Sequence, residues 1–131
     1  MASAANIQQA ASILWFPGEL MTESLADKKC VPCRGGTPPL HGTELEEIHK
    51  SVAKWTVSDE HHIHREFRFP DFKQALEFVN RVGELAESEG HHPDILLSWG
   101  KAEVTLWTHK INGLTESDFI MAAKIDRLSG V

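Results

Sequence analysis

The chain has 131 residues, enough for one domain with its own buried core. It is 41% hydrophobic and 24% charged, ordinary for a soluble globule, and its net charge of -6 and pI of about 5.7 exclude a basic nucleic-acid-binding surface. No apolar run approaches the ~20 residues that span a bilayer, and two closely spaced cysteines make no disulfide framework.

Residues 1–41 read as an extension ahead of a domain over 42–131. Ile7, Ala10, Ala11 and Leu14 have helical spacing that Pro17-Gly18 stops, so this start is expected to be mobile or loosely packed on the domain. The first 27 residues carry no Lys or Arg, which argues against a secretory leader and an Arg-rich transit peptide. The expected location is cytoplasmic, with an organelle as the other option. Cys30-Val31-Pro32-Cys33 then runs into Gly35-Gly36 and Pro38-Pro39, a loop composition. A redox pair would sit at a helix start in a βαβ unit, and a zinc site would need two more ligands, such as His62 and His64. A structural loop is the preferred reading, and no metal is expected.

Three helix starts are signalled by one device. Thr43-x-x-Glu46, Asp71-x-x-Gln74 and Thr115-x-x-Asp118 each set a capping oxygen three residues before a partner able to reach back. Leu114 and Phe119 add a hydrophobic staple to the third. The helices are expected over about 44–53, 71–89 and 115–128. In the middle one, Phe72, Ala75, Leu76, Val79, Val82 and Ala86 form the expected core stripe, and Phe78 and Leu85 form a second stripe that either wraps further under the sheet or meets another subunit, the latter being expected. Trp55 to Ser58 and His61 to Phe69 read as strands, with Ile63, Phe67 and Phe69 on one face and His62, His64, Glu66 and Arg68 on the other. Ile95 to Trp99 and Ala102 to Thr108 form a second strand pair about a Gly100-Lys101 turn. The order α-β-β-α-β-β-α, without repeat or interior linker, implies an α+β single domain: a four-stranded antiparallel sheet with three helices on one face.

The chemistry concentrates between Glu87 and His109. Gly90 suits the left-handed position past a helix end, and Pro93 biases His92 toward extended backbone. His91 and His92 then point to opposite sides and do different jobs. A Gly100-Lys101 turn pairs residues whose numbers sum to about 201, so His109 falls opposite the His92 region. Histidine is the side chain that titrates near neutrality, so His91, His92 and His109 form a candidate proton-transfer set. His91 and His109 are the expected proton-transfer pair and His92 the positioner. Glu87, Asp94, Trp107 and Thr108 are candidate substrate-binding residues. Glu87 either fixes an imidazole or is a solvated helix-end carboxylate, and Trp107 either stacks on a ligand or packs.

The combined pattern Glu87-x-x-x-His91-His92-Pro93, hairpin, Thr108-His109, Gly113-Leu114-Thr115-x-x-Asp118 resembles the pterin-4a-carbinolamine dehydratase family over residues 45–128. The chain departs from it at Gly90, where many members carry an acidic or amide residue, and at Ile95, where many carry an aromatic. Some members share the Cys-x-x-Cys ahead of the domain. The resemblance implies dehydration of 4a-hydroxytetrahydropterins by three functional histidines, with no cofactor and a pterin as the small-molecule partner. It also implies homodimers or homotetramers in which the middle helix packs between subunits. The family includes protein-binding coactivators, so a non-catalytic assembly module on the same fold is the alternative.

Overall fold

The computed structural model describes residues 24–31 and 37–130. Four strands, β1 (Thr56–Ser58), β2 (His62–Arg68), β3 (Asp94–Ser98) and β4 (Lys101–Leu106), form one antiparallel sheet in the order β1-β2-β4-β3. Three helices accompany it: α1 (Gly42–His49), α2 (Phe72–Glu89) and α3 (Glu116–Ser129). This is the expected α+β single-domain arrangement.

Period-two alternation sets the two faces of the sheet. Ile63, Phe67, Ala102, Val104 and Leu106 are buried and face the helices, while His62, His64, Glu66, Glu103 and Thr105 lie on the outer face. α3 closes the core with Phe119, Met121, Ala122 and Ile125. Its capping box is formed as expected: Thr115 and Asp118 each receive the other's backbone N–H. Asp71 likewise caps α2 by accepting from Gln74 N–H.

Five expectations need correction. α1 starts at Gly42 with His41 at its N-cap, so Thr43 lies inside the helix. The Glu60 carboxylate, from the β1–β2 turn, accepts from Gly42 N–H at the first residue of the helix. The helix then tightens into a 3-10 turn over Lys50–Val52. The β3–β4 turn is Trp99-Gly100, since Ser98 pairs with Lys101 and Asp94 with Thr105. Gly100 holds φ +71°, and a Cβ there would meet the Phe69 carbonyl oxygen at 3.0 Å, so glycine fixes that corner. β4 ends at Leu106, and His109 opens a 3-10 turn over His109–Ile111, because Thr108 and Gly113 pair backbone to backbone and fold the chain back.

The fifth correction concerns α2. Its buried residues are Ala75, Phe78, Val82 and Ala86, whereas Phe72 is 42% and Leu76 38% exposed. The stripe is rotated from the expected one because small Ala75 and Ala86 bring the backbone onto the sheet. The Phe78 ring then inserts 4.7 Å from Phe67 and 5.1 Å from Phe69, centroid to centroid.

Residues 1–23, with the helical spacing at Ile7 to Leu14, lie outside the described residues. Residues 24–31 are docked on α3. Ala26 is buried, Lys124 Nζ donates to its carbonyl oxygen at 2.9 Å, and Arg127 pairs with Asp27 at 2.9 Å.

Candidate active site

α2 ends in a left-handed glycine, Gly90 at φ +65°, as its position after the apolar run implies. The chain turns there and delivers His91 and His92 to one side of a cleft. β4 continues through Trp107 and Thr108 into the His109–Ile111 turn, which forms the opposite side. Cys30 and Val31, from the docked segment, complete the rim with Glu89 and Lys110. The cleft has a volume of about 370 Å³. His91, His92, His109, Trp107 and Thr108, all expected in the site, line it together. Glu87 and the exposed Asp94 do not.

The two adjacent histidines are held by different carboxylates, as their opposed directions imply. His91 Nε2 donates to Asp118 Oδ1 at 2.6 Å, with Asp118 fully buried. His92 Nε2 donates to Glu87 Oε2 at 2.6 Å in an exposed setting. Glu87 therefore fixes His92. A carboxylate only accepts, so each Nε2 carries the hydrogen and each Nδ1 of the neutral ring remains able to take up a proton. Among the described residues no carboxylate pairs with His109; its ring stacks on Trp107 at 4.3 Å with 22° between planes.

Asp118 is the site residue that sequence reasoning missed, although it stood in the capping motif. Besides His91 it accepts from Thr108 Oγ1 at 2.9 Å and from Thr115 N–H at 2.9 Å. Thr108 is thus a buried strut between β4 and α3, tied also to Thr115 Oγ1 at 3.0 Å.

The docked segment sets the electrostatics of the rim. Cys30 N–H donates to Glu89 Oε1 at 3.0 Å, and Glu89 pairs with Lys124 at 3.5 Å. The Cys30 bond, with Lys124 adding to it, holds the Glu89 carboxyl below the usual carboxylate range despite its burial. Burial, reinforced by the neighbouring Glu89 charge, pushes the Cys30 thiol up to about 12, which makes it a poor nucleophile at neutral pH. Cys33 lies outside the described residues, and with it the Cys-x-x-Cys pairing. Among the described residues no group of three or more His, Cys, Asp or Glu side chains is arranged to hold a metal ion, and no helix is long and apolar enough to cross a membrane.

Residues 38–128 match the family described as Pterin 4 alpha carbinolamine dehydratase. The chain is 64% identical over 104 residues to a protein of Rubrobacter xylanophilus, covering 79% of this chain and 97% of that one. It is 56% identical over 105 residues to a protein of Alkaliphilus metalliredigens, covering 79% and 95%. Both are named "Putative pterin-4-alpha-carbinolamine dehydratase". Among solved structures it is similar to the transcriptional coactivator/pterin dehydratase from Brucella melitensis, with a TM-score of 0.67 and 34% identity over 71% of this chain and all of that one. A pterin dehydratase-like protein identified as a RuBisCO assembly factor in the alpha-carboxysome is similar at 25% identity, with a TM-score of 0.53 over 59% of this chain and 90% of that one.

Proposed function

Because the chain belongs to the pterin-4a-carbinolamine dehydratase family, we propose that this cleft dehydrates a 4a-hydroxytetrahydropterin to the quinonoid dihydropterin, serving the recycling of a tetrahydrobiopterin-type cofactor. The observation that carries the reading is the convergence of His91, His92 and His109 on one cleft, two of them with carboxylate-fixed tautomers.

The reaction breaks the C4a–O bond and makes a C4a=N5 double bond. The N5–H electron pair supplies the new bond, its proton passes to a base, and the hydroxyl leaves as water once an acid has protonated it. His91 suits the base: Asp118 at 2.6 Å would stabilise the imidazolium that forms when Nδ1 takes up the proton. His109, across the cleft, is the acid that protonates the leaving hydroxyl. His92 positions the pterin, and Trp107, on the opposite side of the cleft, backs the His109 ring. The proton gained by one imidazole balances the proton lost by the other, so no cofactor is consumed.

An assay on a synthetic 4a-hydroxytetrahydropterin tests this. The wild-type chain accelerates dehydration, and His91→Ala and His109→Ala each lower the catalysed rate by about 10²-fold, the double variant further. A folded double variant with the wild-type rate would overturn the assignment. A wild-type chain that leaves the uncatalysed rate unchanged favours the assembly-module alternative, the kind of role named for the carboxysome neighbour. We further propose that copies associate as a homodimer or homotetramer through the exposed face of α2, where Phe72 and Leu76 are unpaired with the core.

A further inference from the structure

Outside the cleft, imidazoles gather on the outer face of the sheet. His61 stands in the β1–β2 turn, directly after Asp59 and Glu60, which hold φ +55° and +52° and swing it across the sheet toward β4. Its ring lies 5.5 Å from Trp107, centroid to centroid, and Trp107 is the ring on which His109 stacks. Its Nε2 lies 2.8 Å from Asn112 Oδ1, and its Nδ1 lies 3.1 Å from His62 Nδ1. Asn112, at φ +53°, ends the 3-10 turn that begins with His109 and donates its N–H to the His109 carbonyl oxygen at 3.2 Å. His64 reaches neither Asn112 nor Trp107: its ring lies 5.9 Å from that of His62, and its Nε2 is 3.1 Å from Ser58 Oγ.

These contacts fix hydrogen positions. An amide oxygen only accepts, so His61 Nε2 carries the hydrogen toward Asn112. The Nδ1 of neutral His61 then accepts from His62 Nδ1–H. His61 is therefore gripped at both nitrogens and holds two things at once: the backbone turn that carries His109, through Asn112, and the ring that backs His109, through Trp107.

We propose that His61 is a positioning residue for His109, setting the imidazole's place in the cleft from 48 residues upstream; the kinetic part of this inference rests on the dehydratase reading, and the geometric part does not. A small displacement of an acid that must meet a leaving hydroxyl costs rate, while His92, which makes its contact with Glu87 rather than with His61, still positions the pterin. The expected signature is a fall in kcat with KM nearly unchanged.

The test combines kinetics with nuclear magnetic resonance of the His109 ring and Trp107 indole. His61→Ala should shift both sets of resonances and lower kcat about 10-fold, with KM within about two-fold. His61→Gln, whose amide N–H can still reach the Asn112 oxygen, should restore most of the rate. Asn112→Gly keeps the left-handed turn, removes only the acceptor, and should reproduce the His61→Ala shifts if that variant folds poorly. His64→Ala should do neither. Unmoved His109 resonances in both His61→Ala and Asn112→Gly overturn the proposal, as does an equal effect from His64→Ala. Shifted His109 resonances in a chain whose wild type shows no dehydration sustain the positioning and overturn the dehydratase reading instead.

Discussion

Asp118 carries three obligations on one side chain. It completes the cap of α3, ties Thr108 at the end of β4, and fixes the tautomer of His91. Such a group, fully buried, is costly to remove because each partner loses its acceptor. Asp118→Ala is expected to destabilise the fold by about 3 kcal/mol in urea unfolding, from the lost cap and unsatisfied donors. Asp118→Asn keeps the shape and should lose less stability, yet slow dehydration as strongly as His91→Ala, since an amide stabilises an imidazolium poorly. Equal, wild-type rates in both variants would remove Asp118 from the mechanism. Its capping role was readable from Thr115-x-x-Asp118. Its bond to His91 was not, because that depends on how α3 docks beside the end of α2, a packing relation with no local signal. The same limit applies to Glu87: the sequence admits a bond to an imidazole without saying which, and the fold gives it His92.

α2 shows where periodicity misleads. Its apolar residues cover more than half its circumference, so the pattern alone admits two orientations about the helix axis. The choice was made by volume: alanines at 75 and 86 permit close approach, and the phenylalanine at 78 fills the space under Phe67 and Phe69. Element types, their order and the strand faces were legible because alternation and capping are local. The hairpin register was read two residues off, since the close approach of Gly100 to Phe69 is a tertiary constraint. Phe78→Glu consequently belongs to the core and is expected to abolish folding. The exposed apolar residues are Phe72 and Leu76, and half-buried Val79 and Gly83 continue their stripe at helical i, i+4, i+7, i+11 spacing. Leu76→Glu is the informative change: a smaller mass by light scattering with an unaltered circular-dichroism spectrum supports self-association here, and an unchanged oligomeric mass counts against it.

At the scale of the molecule, most of the cleft comes from two short runs, Glu89–His92 and Trp107–Lys110, while part of its rim comes from far away. Cys30 and Val31 are tied by Glu89 and Ser117, contacts spanning 59 and 86 residues, and the same segment is held by Lys124 and Arg127 across 98 and 103. These are the longest closures among the described residues, and the apolar burial that offsets them is modest: Ala26 is buried, and Leu25 and Cys30 pack half-buried against the core. The consequence is one of timing. A chain made from its N-terminus produces this segment first and its anchors last, so the rim waits unfastened until α3 has formed. It should also be the first part to let go. Backbone amides of Cys30 and Val31 are expected to exchange with deuterium well before that of Val104 in the sheet, through local opening that leaves the core intact. Exchange as slow as at Val104 would mean the rim and sheet open as one unit; the faster exchange expected here gives the cleft a wall with a shorter lifetime than the floor beneath it.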